Sequence, residues 1–498
     1  MVIRNGNIPE RAPLPPDGLA DNPNDVKELL SKFPISATDV SKVKVDDLLS
    51  NELLQLSLQD RNAINEEIHG VQNFAPEETP EMLSKALRDM QDEINRTPNK
   101  IAYDHSQEFP QTYVNSEGFR LRFLRSDLFE VRKAAKRMLS FLDLLLEIFG
   151  DFALRRQIQM SDFNREEMQL FRAGRMQLLP FRDRSGRRIF VSVGGFGIKS
   201  SLVTRVKILI YLMLSASEDV ETQRKGITSV VWPGTKMPEG DKVNNIKLDR
   251  VIFLKRVYDN LPIRTCSLHF CLPDTPFFHM MRTLFVLSMS HYMQRMKFHV
   301  GENIELQYCV KGYGIPVELI PLTDTGNIKT TYLKQWIKLR RMIEVVKMTG
   351  GNNDDSSSII ECPGSNDVIF RSGTSMSCHG GNVRFRCMIE SKHEIPSIVS
   401  QTTQAELAEQ LIEEIESLGG RFLEWDNRGY WREIDDRLRI HTKVALSIRD
   451  FKYKTKARRN QQTNQSYTYL FQGQDGNKRK RVPDPEPRTE ISQCRRFE

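Results

Sequence analysis

The chain has 498 residues, 39% of them hydrophobic and 28% charged, with a net charge of +7. That balance suits globular domains accompanied by some polar, poorly ordered sequence. Its longest apolar runs, 208–214 and 284–289, fall far short of the roughly 18 residues that span a bilayer. The N-terminus has no apolar stretch of the secretory kind, and the seven cysteines are scattered and odd in number, which predicts a reduced, intracellular protein, cytoplasmic or peripheral to a membrane.

The first segment, 1–78, reads as a poorly ordered leader. Pro9, Pro13, Pro15, Pro16 and Pro23 interrupt any early element, and one or two amphipathic helices are expected before Gly70. Residues 79–150 read as helical. Val131, Ala134, Met138, Leu142, Leu145 and Phe149 recur every three or four positions, which places them on one face. Asp127 with Glu130 suits a capping box and Gly150 the stop.

From 151 to 345 the pattern alternates. The β-branched runs at 187–195, 226–234, 263–273 and 297–300 predict strands, and the apolar-periodic runs between them predict helices. Strands alternating with crossover helices mean an α/β domain with a mixed, mainly parallel sheet, in which ligands gather at the carboxyl ends of strands. The run from Lys297 to Pro321 reads as a strand, then a helix stopped at Gly314-Ile315-Pro316. A Gly-, Asn-, Asp- and Ser-rich stretch, with the linker placed at 346–364, precedes a small α+β domain at 365–451. In that domain Thr403 and Glu406 have capping-box spacing, and a β-hairpin turns at Asn427-Arg428-Gly429. The tail, 452–498, reads as basic and disordered. Beyond residue 450 twelve Lys and Arg stand against five Asp and Glu, so the tail alone carries the excess of charge and the body is nearly neutral.

No catalytic constellation emerges. Gly194-Gly195-Phe196-Gly197 follows a strand but lacks the spacing and the lysine of a phosphate loop. Cys378, His379, Cys387 and His393 include no C-x2-C pair, so no metal is expected. His269, His279, His291 and His299 lie among apolar neighbours, where hydrogen-bonded packing is the ordinary role. These observations predict a protein that is not an enzyme. The apolar segment 277–296 stands out instead, with Phe277, Phe278, Met281, Leu284, Phe285 and Met289 among more large side chains than one docking face needs. Its methionines suit either a buried core helix or a surface that re-packs around an apolar ligand.

Several stretches resemble the CRAL-TRIO lipid-binding family over about 80–345. They are "RFLRSDLFEVRKAAKRMLSFLDLLLEIFG", "LLPFRDRSGRRIFVSVGG", "YDNLPIRTCSLHFCLP" and "KFHVGENIELQYCVKGYGIPVELIP". The resemblance implies a first strand hairpin at 178–195, a sheet flooring an apolar pocket and a movable lid helix at 276–296. It implies a bound lipid, a phospholipid or other lipid, and no further cofactor. The pocket would be lined by Val191, Val193, Leu268 and Phe270 from the sheet and by the lid residues named above, and the partners would be that lipid and, transiently, a membrane surface. Such a protein would serve lipid transfer or sensing.

Residues 365–451 are similar to an uncharacterised family common in diatom proteins, through Asp367-Val368, Gly380-Gly381-Asn382, Phe385-Arg386 and Gly419 to Leu423. Two helices and a hairpin among basic residues also suit a winged-helix-like module. Lys478, Arg479, Lys480 and Arg481 suit nuclear import, contact with a nucleic-acid backbone or contact with an acidic protein, or else a solvated tail. A nucleus-associated regulator that binds nucleic acid is therefore the alternative expectation.

Overall fold

The computed structural model describes residues 57–110, 112–194, 201–232, 248–275, 278–279, 282, 285–286, 290–348, 359–371, 379–394 and 403–472. Helices α1 (Leu58–Ile68), α2 (Pro80–Arg96), α3 (Ile101–Gln107), α4 (Glu117–Ser126), α5 (Val131–Phe149), α6 (Phe152–Arg155) and α7 (Arg165–Arg172) come first. Strands β1 (Met176–Arg182) and β2 (Arg188–Val193) follow, then α8 (Leu202–Ala216), α9 (Val220–Lys225), β3 (Ile227–Trp232), α10 (Leu248–Asn260), β4 (Thr265–Leu272) and β5 (Met296–Val300).

These five strands form one sheet in serial order, β1 antiparallel to β2 and every later pair parallel. The expected mixed, mainly parallel α/β sheet is therefore present. Parallel neighbours in serial order, joined by right-handed crossovers, put all their crossover helices on the same side. The core shows that division: α8 and α10 bury Leu209, Tyr211, Val257 and Leu261 with the helical lead-in and with Phe190. Val191, Val230, Trp232 and Cys271 belong to a separate cluster on the opposite side. Both faces are covered, so the strands read as near-continuous apolar runs.

The second face is closed by α11 (Asn303–Gly312) and by the turn after it. Gly314 there has φ +79°, and a Cβ on it would stand 2.5 Å from Cβ of Arg184, so the expected stop is also the point where the chain touches the β1–β2 hairpin. Helix α12 (Thr331–Met348) then leads to the small domain. That domain consists of β6 (Val368–Phe370), α13 (Gly380–Glu394), α14 (Gln404–Ser417), β7 (Phe422–Asp426), β8 (Tyr430–Glu433) and α15 (Arg437–Gln472). Thr403 and Glu406 form the expected capping box at the start of α14. The sheet order is β6-β7-β8, with β6 parallel to β7 and β7 antiparallel to β8.

Period-two alternation splits this small sheet between two cores. Val368 and Phe422 pack on the domain's own helices. Ile369, Leu423 and Trp431 enter the same cluster as Leu179, Phe181 and Ile189 of the large sheet. The two domains thus share a core, and the hairpin has one face sealed rather than free in the manner of a wing.

Four expectations need correction. Asp127 does not cap α5; it is the C-terminal cap of α4 and pairs with Arg137 at 2.7 Å. The last part of the leader is ordered: α1 docks on the sheet, where the buried Glu67 carboxylate takes both Arg264 and Arg295, and Arg187 donates to the carbonyls of Glu67 and Ile68. The end of the linker is part of the interior as well. Glu361 accepts from Arg188 at 2.6 Å and from the Trp336 indole at 2.8 Å, and Ile360 pairs with Trp431 in an antiparallel bridge. The first part of the expected disordered tail, 452–472, continues α15 as helix; the earlier leader, most of the linker and the tail beyond residue 472 lie outside the described residues.

Candidate functional site

Alternation along the central strands decides what faces the crossover helices. On β2 these are Phe190 and Ser192, on β3 Val231, and on β4 Leu268 and Phe270. Above them stand Leu202, Arg205, Ile208 and Leu209 of α8, Leu254 and Tyr258 of α10, and Phe285. Leu170 and Phe171 of α7, with Arg175 and Met176, close one end. Together they line a cavity of about 180 Å³. For scale, a dry cavity of roughly 150 Å³ lined by Leu, Ile and Phe holds one benzene. This space therefore takes one ring or a short alkyl segment as it stands, and a diacyl lipid requires it to widen.

The wall over β4 is aromatic. Phe270 lies parallel to Phe298 with centroids 5.0 Å apart, and Phe285 sits at 4.9 Å from Phe270, tilted by 31°. Phe278 is buried in the same group with Leu268 and Met296. Polar groups on the cavity wall are few: Ser192, Tyr258, Arg175 and Arg205. Arg175 donates to the carbonyl of Gly194 at 2.7 Å, which holds one guanidinium at the carboxyl end of β2. Burial raises the Tyr258 phenol to about 12, so it stays a neutral hydroxyl. Among its described lining residues the site offers dispersion, area burial and positive charge, and no nucleophile–base pair.

Of the residues expected in the pocket, Leu268, Phe270 and Phe285 lie on its wall, Phe278 packs beside it, and Val193, at the end of β2, borders the cavity while packing in the cluster of the opposite face. Val191 is a correction: the pleat turns it to the other face, where it is fully buried with Leu179 and Val230. Phe277, Met281, Leu284 and Met289 lie outside the described residues, as do Lys478, Arg479, Lys480 and Arg481; of the segment expected to be the lid, 278–279, 282, 285–286 and 290–296 are described, with Ser290–Arg295 a short 3-10 turn and Met296 already in β5. The residues that sequence reasoning missed are the α7–β1 corner, Phe190, Val231 and the pair Arg175 and Arg205. Alternation within "IFVSV" separates Phe190 and Ser192 from Val191 and Val193 but does not say which set meets a cavity, because both faces are apolar.

The opposite face of β4 and β5 holds a buried polar cluster. His269 Nδ1 and His299 Nε2 are 3.1 Å apart, and Tyr313 packs edge-on against His269 while stacking on His69. Burial, then the charges of His299, Arg187 and Lys297, push His269 well below the usual imidazole range; burial and Lys297 bring His299 to about 4. Both rings are neutral and serve packing. His279 is exposed and pairs with Asp274. His379 is buried against the edge of Phe181, and burial lowers it to about 4. Among the described residues no group of three or more His, Cys, Asp or Glu is placed to hold a metal ion, and no helix is long and apolar enough to cross a membrane.

No curated protein matches the chain, and no CRAL-TRIO match accompanies residues 80–345. Residues 367–450, the small domain that shares its core with the large sheet, match the family described as "Domain of unknown function (DUF6824)".

Proposed function

We propose that the chain binds an apolar ligand with a negatively charged end in the cavity between the large sheet and its crossover helices, for lipid transfer or sensing and without catalysis. The observation that carries this reading is the cavity itself, walled by Phe190, Val231, Leu268, Phe270 and Phe285, with two guanidinium groups among its few polar neighbours. Burying a chain there is favourable by about 0.8 kcal/mol per methylene. The arginines supply positive charge on the wall where a carboxylate or phosphate end would lie. A CRAL-TRIO-like carrier is the family reading that fits: a mainly parallel sheet floors the cavity, and Phe278 and Phe285, from the segment expected to be the lid, stand on its helical side. Titration of the full chain with a fluorescent fatty acid tests the proposal. Saturable binding competed by unlabelled fatty acid is expected, and non-saturable binding overturns it.

The nucleic-acid alternative gains no comparable support. In the described part of α15, Arg437 is neutralised by Glu409 and Glu416, and Arg439 and Lys443 by Glu424.

A further inference from the structure

Helix α12 carries an exposed row at Lys334, Lys338, Arg341, Val345 and Met348. The intervals of four and three residues put them on one face of the helix. A groove open to solvent runs along this row, bounded on its far side by Arg172 of α7, with Ile337, Met342 and Val346 in its floor. Four of its lining residues are cations, none is acidic, and none of the four has a carboxylate within ion-pair distance among the described residues. Other cations of the same helix behave differently: Arg340 pairs with Glu218 and Glu361, and Lys347 with Glu218. The chain therefore has carboxylates within reach of α12 and directs them away from the groove. At the C-terminal end of the row the surface turns apolar, with Val345 58% and Met348 68% exposed.

We propose that this groove docks the chain on an anionic phospholipid bilayer. Long cations reaching headgroup phosphates beside apolar side chains that enter the acyl boundary are the pattern of an interfacial helix. Among the described residues the groove lining has no aromatic side chain on which nucleic-acid bases could stack. Its position adds meaning to its chemistry. Arg172 borders the groove, while Leu170 and Phe171, its neighbours on α7, line the ligand cavity. Docking here would bring the α7 end of the cavity to the membrane side of the molecule. This inference deepens the ligand-binding reading and rests on it for its purpose, but it has its own test.

The test is co-sedimentation of the full chain with vesicles of phosphatidylcholine and phosphatidylserine, and with pure phosphatidylcholine. Each cation near an anionic leaflet raises partitioning about fivefold. The double variant Lys334→Ala, Lys338→Ala is expected to bind the mixed vesicles about twenty-five-fold more weakly. Its melting temperature and its uptake of fluorescent fatty acid should stay unchanged, because both lysines are exposed and unpaired among the described residues. A tail variant, Lys478→Ala with Arg479→Ala, controls for loss of equal charge elsewhere. Three results would each overturn the inference: no preference of the wild type for phosphatidylserine, wild-type binding by the groove variant, or loss confined to the tail variant. An acidic protein segment as the true occupant would produce the first of these. Fatty-acid uptake without vesicle binding would remove the docking site and leave the ligand site standing. Vesicle binding lost in the groove variant, without uptake by any form, would do the reverse.

Discussion

Phe285, from the segment between β4 and β5, rests at 4.9 Å on Phe270, which points from the middle of the parallel sheet into the cavity. This contact joins floor to cover and makes the cavity a property of packing between two layers rather than of any single element. Val231 lies beside Phe270 on the neighbouring strand, half-buried and facing the same space. Val231→Trp should fill that space. It is expected to abolish fatty-acid uptake while costing about 1–3 kcal/mol of stability, the usual range for an overpacked core. Uptake at wild-type level by a folded Val231→Trp protein would place the ligand elsewhere.

The two domains are predicted to unfold together. Glu361 sits between the guanidinium groups of Arg188 and Arg340, both almost wholly buried, and Ile369, Leu423 and Trp431 complete the core of the larger domain. Glu361→Ala would leave two buried cations short of a partner, a change that typically costs about 3–5 kcal/mol. Calorimetry should show a single transition in the wild type, shifted well down in the variant. Two transitions, of which only one moves, would show that the shared core does not couple the domains.

Acid should destabilise the protein in two stages. The neutral histidines act first. His299 is held at about 4 by burial and Lys297, against 6.5 for an ordinary histidine, so between those values the unfolded chain takes up a proton that the folded chain refuses. Stability is complete above pH 6.5 and falls as the pH drops toward 4. The carboxylates act second. Burial alone would raise Glu218, but Arg340 and Lys347 more than offset it and bring it from 4.5 to about 2. Its contribution is present above 4.5 and is lost as the pH falls toward 2. His299→Gln should lessen the fall of the melting temperature between pH 6.5 and 4 without removing it, because His269 and His379 are also held below the usual imidazole range, and should leave the lower stage in place. A wild-type melting temperature that does not change across that first interval would contradict the histidine assignment.

A pair of glycines separates steric need from mere tolerance. A Cβ on Gly381 would overlap the carbonyl oxygen of Asp367, whereas one on Gly118 meets nothing within 4 Å inside α4. Gly118→Ala should raise stability by up to about 1 kcal/mol through helix propensity. Gly381→Ala should displace α13 from β6, breaking the clasp in which the Asn382 side chain bonds both N–H and C=O of Ile369. Thermal melts of the two variants should move in opposite directions.

The strands and crossover helices were legible because each is marked locally, by β-branched runs or by three-and-four spacing. The α14 cap was legible for the same reason, since Thr403 and Glu406 lie within one turn. What the sequence hid depends on distant partners. Glu67 resembles any surface glutamate until Arg264 and Arg295 are folded against it. Glu361 sits in a run that reads as linker, and its arginines come from β2 and α12. Val191 enters the expected pocket through the family resemblance alone, and the pattern could not correct it, because period two gives two faces and burial on both gives no sign to choose by. Arg175 and Arg205 stand in no motif, and only the closure of α7 and α8 over the sheet brings them to one cavity.

The central claim is most directly tested by solvent extraction of the full chain purified under non-denaturing conditions, followed by mass spectrometry of the extract. The account predicts apolar molecules with a carboxylate or phosphate end, in near-stoichiometric amount from the wild type and absent from Val231→Trp. A wild-type extract without such molecules, from protein that also takes up no added fatty acid, would contradict it.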